Sequence, residues 1–267
     1  MSQLFTARRA TAALVTAALL FPLTACGGND DGTKDKDAEN SGSAVPKADL
    51  TVLAASSLTD VFKKAGAVYE KEHAGTKVNF SFAGSQELAA QVREGAPADA
   101  VVTADTTTMD GIKVDVGKPT VIAKNRLVIV TGEGNPKKIE NLRDLSNSKL
   151  KVVLAASQVP VGRYGQQVLD AQKLHVKPVS QEPNVRAVLS KVELGEADAG
   201  LVYRTDAATA PKKVDAVDIP DAQNAVASYP AATLKASQHS AAAAAFVKWL
   251  STPEAQQILQ RAGFQKP

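Results

Sequence analysis

The sequence predicts an α/β protein whose strands form parallel sheets covered by helices on both faces. Three observations carry that prediction. Apolar runs at residues 50–54, 99–103, 126–130, 150–155 and 199–203 are of strand length and nearly continuous, as in strands covered on both sides. Between them lie segments whose apolar residues recur at helical spacing, so strand and helix alternate. A composition of 44% hydrophobic residues over 267 positions suits a packed core, and neither glycine periodicity nor heptads point to collagen or coiled coil.

Taken in order, the chain opens on a leader. Arg8 and Arg9 precede an apolar stretch, residues 10–21, that is too short for a stable membrane span. Leu23-Thr24-Ala25-Cys26 follows and resembles a bacterial lipobox, which makes residues 1–25 a signal peptide and Cys26 the lipidated mature N-terminus. Acyl chains on Cys26 would tether the protein to a membrane without spanning it. Residues 27–47 are rich in Gly, Ser, Asp and Lys, and Val45 is their only large hydrophobe. Such a segment cannot bury enough apolar area to offset its ordering entropy, so residues 26–48 read as a flexible linker. The folded part begins near Asp49.

Strand 50–54 leads into a helix opened by Ser57, with Leu58, Val61, Phe62, Ala65 and Tyr69 on one face. Val78, Phe80 and Phe82 alternate along a strand at 77–82, and Ser85 opens a helix carrying Leu88, Ala89 and Val92. Further helices are expected at 162–172, 184–194, 241–250 and 253–261. The last has Thr252 as N-cap, Pro253 at its first position and Gly263 just past its end.

Several chemistries lack support. A formal charge of +3, from 31 basic and 28 acidic side chains, implies no basic face for nucleic acid. One cysteine excludes an internal disulfide framework and a multi-cysteine metal site. Residues 111–119 imitate a phosphate-binding loop, but the spacing is one residue too long and Pro119 stands where Ser or Thr is needed. Gly132-Glu133-Gly134 lacks the third glycine of a dinucleotide fingerprint. There is no Gly-x-Ser-x-Gly elbow. His73, His175 and His239 are scattered, which suits surface or helix-end positions better than metal ligation.

What remains is a set of strand-to-helix turns. Ser57 and Ser85 each follow a strand and begin a helix, where backbone N–H groups lack intrahelical partners and the helix dipole is positive. Two such ends converging at the carboxyl edge of a sheet make an anion cradle without any cation. The same spacing fits serines that merely cap helices, and spacing alone leaves both readings open. Gly84 favours the cradle, because it lets a ligand approach the backbone. A third turn, Val159-Pro160-Val161-Gly162-Arg163-Tyr164, and a fourth, Pro183-Asn184-Val185-Arg186, have the same form, with Asn184 a good N-cap. Tyr203 ends strand 199–203, where its phenol can donate into a cleft. Core roles for Val161, Val185 and Tyr203 fit the same positions.

Together these motifs resemble the molybdate-binding proteins of ABC importers. The resemblance runs from about Leu50 to Phe264. It is carried by Ala54-Ala55-Ser56-Ser57-Leu58, Phe82-Ala83-Gly84-Ser85 and Gly95-Ala96-Pro97-Ala98-Asp99-Ala100. The Val159–Tyr164 turn, Asn184-Val185-Arg186, the run from Gly200 through Tyr203 to Ala207, and Gly263-Phe264 complete it. Family positions for oxyanion contact fall on Ser57 and Ser85 through hydroxyl and N–H, on Val161 and Val185 through N–H, and on Tyr203. Val161 stands where the family often has alanine, and Asn184 where an acidic residue is also found. Arg163 and Arg186 sit beside contact positions, and the resemblance puts them outside the pocket as inter-lobe or surface charges.

The resemblance also implies an α/β, class II periplasmic-binding-protein fold of two lobes with the ligand cleft between them. Residues 49–126 plus 225–267 would form one lobe and 127–224 the other. It implies a monomeric, non-enzymatic lipoprotein on the extracytoplasmic face of the cell membrane, without cofactor and without nucleic acid. This protein would pass molybdate, and tungstate as well, to an ABC-transporter permease and its ATPase. The metal is then held as its oxyanion, with no direct protein coordination. Neutral donors can suffice, since a hydrogen bond to a charged group contributes roughly 1.5–3 kcal/mol. None of the contact positions is Asp or Glu, so phosphate, which keeps a proton near neutral pH, finds no acceptor. Other readings are a binding protein for sulfate or another tetrahedral oxyanion, a hydrolase using Ser57 or Ser85, and an adhesion lipoprotein without a small ligand.

Overall fold

The computed structural model describes residues 47–267. The expected signal peptide, Cys26 and the linker up to residue 46 lie outside the described residues.

Strand β1 (Asp49–Ala55) runs through a 3-10 turn, Ser56–Leu58, into α1 (Thr59–Glu72). Helix α1 buries Val61, Phe62, Ala65 and Tyr69, the apolar face its spacing predicts. Strand β2 (Lys77–Ala83), α2 (Ser85–Arg93), β3 (Ala100–Val102) and the short α3 (Thr106–Asp110) follow. The long β4 (Thr120–Gly132) leads to β5 (Val152–Ala155), α4 (Pro160–Ala171), β6 (Ser180–Glu182) and α5 (Val185–Glu193). Next come β7 (Ala199–Tyr203), α6 (Arg204–Ala207) and β8 (Val214–Asp218). The chain ends with β9 (Val226–Thr233), α7 (Ser240–Trp249) and α8 (Pro253–Arg261). Tyr69 meets Phe246 and Trp249 of α7 edge-on, at 5.0 and 5.2 Å between centroids, which ties α7 to α1.

The strands are hydrogen-bonded in the order β2-β1-β3-β9-β4-β7-β5-β6, with β8 also on β4. Two parallel trios sit at the ends, β2-β1-β3 and β6-β5-β7. Between them β4 and β9 run antiparallel to each other, β9 to β3, and β4 to β7 and β8. The architecture is therefore mixed rather than purely parallel. Parallel neighbours need a crossover helix; the passages from one trio to the other are made by the extended segments β4 and β9 instead. Along β4, residues 120–126 pair with β9, and from Leu127 onward the partners are β7 and β8. The change of partner falls between Arg126 and Leu127.

Candidate functional site

The carboxyl ends of strands from both trios open on one cavity. Its lining includes Ser57 after β1, Ser85 after β2, Val161 after β5, Val185 after β6 and Tyr203 at the end of β7. All five residues singled out from the sequence therefore share one space, drawn from segments up to 146 residues apart between Ser57 and Tyr203. The cavity is small, with a free volume of about 10 Å³, which suits one compact occupant rather than an extended organic solute. Among the described residues no Lys, Arg, His, Asp or Glu lines it.

Local structure explains how a neutral lining can still be electropositive. Ser85 and Val185 are the first residues of α2 and α5, and Val161 is the second of α4. None has a carbonyl four residues back within its own helix, so their N–H groups are among those a helix leaves without internal partners. Pro160, which has no N–H, occupies the first position of α4 and presets its backbone angle. Asn184 caps α5, its Oδ1 accepting from Ala187 N at 3.0 Å.

Neither serine is a cap. The Leu58 position preceding α1 and the Gly84 position preceding α2 lack a side-chain capping bond to the helix. Instead, Ser85 Oγ accepts from Ala104 N at 3.0 Å, and Ser57 Oγ lies 3.0 Å from Tyr229 Oη. The capping alternative thus falls, because both hydroxyls are bonded to distant segments, Ser57 to β9 and Ser85 to the loop after β3. Ser57 and Ser85 are 3% and 2% exposed, and no histidine approaches either, which leaves a nucleophile without a base. His73 ends α1 stacked on Tyr69, and His239 precedes α7 with Nδ1 3.3 Å from Asp99.

Tyr203 carries the clearest signal. It is 1% exposed, and its hydroxyl has no hydrogen-bond partner among the described residues. Burial pushes the phenol well above its ordinary pKa, so it keeps a proton to donate. A buried donor left unmatched costs about 1–3 kcal/mol, which a ligand acceptor in the cavity would recover.

Two arginines flank the cavity without lining it, and both tie together elements of different trios. Arg163 of α4 donates through Nε to Asp105 Oδ2 at 2.9 Å and through Nη2 to Thr108 Oγ1 at 2.6 Å. Asp105 is itself the N-cap of α3. Arg186 of α5 reaches Asp60 of α1 and Asp206 of α6, each at 2.7 Å. Burial pushes the Asp206 carboxyl up to about 6 despite Arg186, and its Oδ2 has no partner among the described residues. Gly84 serves the close approach of chain segments: a Cβ there would lie 2.5 Å from Pro183 O.

Asn125, Thr205 and Tyr229, which stand behind Ser57, were not expected from the sequence. Asn125 and Tyr229 lie in or beside strand segments whose polar or proline residues mask the strand pattern, and nothing local marks them.

A mixed α/β fold with an uncharged cavity of helix N-termini between two strand sets defines a class of small-solute binders. The chain belongs to the bacterial extracellular solute-binding protein family, which it matches over residues 50–265. At the level of particular proteins, it is 40% identical to the molybdate-binding protein ModA of Mycobacterium tuberculosis H37Rv over 257 residues, covering 95% of this chain and 97% of that one. It superimposes on the Azotobacter vinelandii periplasmic molybdate-binding protein with a TM-score of 0.70 at 22% identity, covering 82% of this chain and 99% of that chain. Against the sulfate-binding protein SubI of Mycobacterium tuberculosis the TM-score is 0.74 at 21% identity, with 82% and 86% covered. Those two structures speak to the fold alone, that of periplasmic binding proteins.

Proposed function

We propose that this protein is an extracytoplasmic binding lipoprotein that captures molybdate, and tungstate with it, and hands the oxyanion to the permease and ATPase of an ABC importer. The observation that carries the reading is the uncharged cavity: the Tyr203 hydroxyl without a partner, the Ser57 and Ser85 hydroxyls and helix-start N–H groups, with no carboxylate among the described lining residues to accept a proton. Ser57, Ser85, Val161, Val185 and Tyr203 are the proposed contacts. A 40%-identical relative named for molybdate binding supports the choice of ligand.

On this reading residues 49–126 plus 225–267 and residues 127–224 are two lobes that close on the anion, because contacts from both sides form only when they meet. The partner change in β4 at residues 126 and 127 supports that division. The protein is a monomer and a carrier rather than an enzyme, anchored by lipid on Cys26. Sulfate is the second ligand to weigh, because it is also free of protons at neutral pH; it is smaller, and a cage set for a larger anion leaves N–H groups unsatisfied around it. Calorimetry on the protein lacking residues 1–26 tests the assignment. Molybdate is expected to bind with micromolar or lower Kd, nearly independent of inert salt, and sulfate far more weakly. Equal affinity for the two would overturn the ligand.

A further inference from the structure

A serine hydroxyl can donate or accept, so a cavity lined by serines is not donor-only by composition; something must commit each hydroxyl. For Ser85 the Ala104 N–H does so, by occupying an Oγ lone pair at 3.0 Å. For Ser57 the neighbour is Tyr229 Oη, also at 3.0 Å, and either oxygen could be the donor on distance alone.

The surroundings of Tyr229 settle the direction. Its ring is fully buried on β9, edge-on to Tyr203 and Phe264 at 5.9 and 5.4 Å, which fixes where the hydroxyl sits. Besides Ser57, the polar atom that approaches it is Asn125 Nδ2, at 3.5 Å. The amide of Asn125 cannot turn over without loss, because its Oδ1 accepts from Arg126 N at 2.9 Å and its Nδ2 donates to Thr205 Oγ1 at 2.8 Å. An amide nitrogen has no lone pair to offer. Ser57 Oγ is therefore the acceptor within reach of the Tyr229 proton, and a buried donor without an acceptor is costly. Burial also holds the Tyr229 phenol far above its ordinary pKa, so the proton stays. With one lone pair of its oxygen taken from behind by the Tyr229 proton, Ser57 must direct its own hydrogen elsewhere, and Ser57 lines the cavity.

We propose that Tyr229, oriented by Asn125, is a positioning residue that commits Ser57 as a donor to the bound oxyanion and so favours anions without a proton over those that carry one. This rests on the oxyanion reading of the cavity. A hydrogen phosphate must place its O–H against an acceptor; with Tyr229 donating to Ser57 and Ala104 to Ser85, each of these hydroxyls has one lone pair taken and its hydrogen turned to the ligand, which makes both poorer acceptors.

The test is a double-mutant cycle read by calorimetry and by competition between molybdate and inorganic phosphate at pH 7. Tyr229→Phe keeps the ring and its packing while removing the donor. It is expected to weaken molybdate several-fold and to shrink the molybdate-to-phosphate preference about tenfold, because Ser57 can then accept. In the S57A background the same change should have no further effect on molybdate binding. Asn125→Asp, which offers Tyr229 a different acceptor, should shift the preference in the same direction and gives a second route should Tyr229→Phe fold poorly. Additive losses from Y229F and S57A, or an unchanged preference ratio in Y229F, would overturn the inference while leaving the cavity reading intact. Unchanged molybdate binding in S57A would overturn the cavity reading and this inference with it.

Discussion

At the scale of single residues, the site works by what each polar atom has already spent. The Ser85 oxygen is engaged by Ala104, so its hydrogen is the part available to a ligand. Ser85→Ala should therefore remove one donor to a charged group and weaken molybdate by about 1–3 kcal/mol, a roughly 5- to 150-fold rise in Kd by calorimetry. An unchanged Kd would place Ser85 outside the contact set. Asp206 gives a pH prediction of a different kind. Its carboxyl rises from 3.8 to about 6 because burial outweighs Arg186, and one of its oxygens has no partner among the described residues. Between those two values the folded protein holds a proton that the unfolded chain has released. The contribution thus favours folding below the ordinary carboxylate range and is lost as pH rises through about 6. Asp206→Asn cannot titrate, so its stability relative to the parent should improve from pH 4 to pH 7, by roughly 2–3 kcal/mol in ligand-free denaturant melts. A pH-independent difference would mean that Asp206 keeps an ordinary pKa.

At the scale of elements, α4 and α5 each present a valine to the cavity and, one or two residues later, an arginine to an aspartate beside β3 or on α1. Arg163 covers Asp105, whose side chain is 3% exposed while its own is 31% exposed. Losing one partner of a fully buried pair costs about 3–5 kcal/mol, and the partial exposure here brings the expected cost of Arg163→Gln nearer 2 kcal/mol. That corresponds to about 4–8 °C in the unfolding midpoint of a protein this size. Adding Asp105→Asn removes the stranded charge while keeping an acceptor for Thr108 N, so the double variant should recover part of the loss; a double variant no more stable than the single would count against the pairing. Much at this scale was legible beforehand. The strands of the two trios other than β6, a three-residue Ser-Gln-Glu segment, and helices α1, α2, α4, α5, α7 and α8 follow from apolar spacing, and Asn184 and Thr252 cap as their types suggest. Strand β9 was hidden because Pro230 interrupts it, and the register of β4 against it shifts nearby, between Val121 and Ala123. The first half of β4 was masked by Lys124 and Asn125, β8 by its aspartates, and α3 by having only five residues. At the site, chain order revealed the helix-start positions, whereas the partners that aim the hydroxyls lie 19 residues away for Ser85 and 172 for Ser57, beyond any local pattern.

At the scale of the whole molecule, the two proposed lobes are joined where β4 changes partners and where the chain enters β9, and one side chain stitches these places together. Asn224 Oδ1 accepts from Leu127 N at 3.1 Å and Ala225 N at 2.8 Å, while its Nδ2 donates to Leu127 O at 2.9 Å and Ile219 O at 3.3 Å. Leu127 is fully buried, so without Asn224 its amide and carbonyl would face no water in compensation. On the proposed division a hinge must bend at few points and hold firm elsewhere, and a side chain that pairs both backbone groups of the crossing residue would hold the two connections in register through that bend. Asn224→Ala should therefore cost about 1–3 kcal/mol, read as a midpoint lower by several degrees. The loss should also reach ligand binding, although residue 224 does not line the cavity: lobes no longer held in register close on the anion less often, and molybdate affinity falls in proportion to the competent fraction. Asn224→Asp keeps the two acceptor bonds and forfeits the two donor bonds, so it should fall between the parent and Asn224→Ala in both measurements. Small-angle scattering with and without molybdate separates this from simple destabilisation. The parent should contract on binding, and Asn224→Ala should show a broader ligand-free ensemble that contracts to the same final dimensions. Identical ligand-free scattering and an unchanged Kd in Asn224→Ala would show that the stitch stabilises the fold without governing closure.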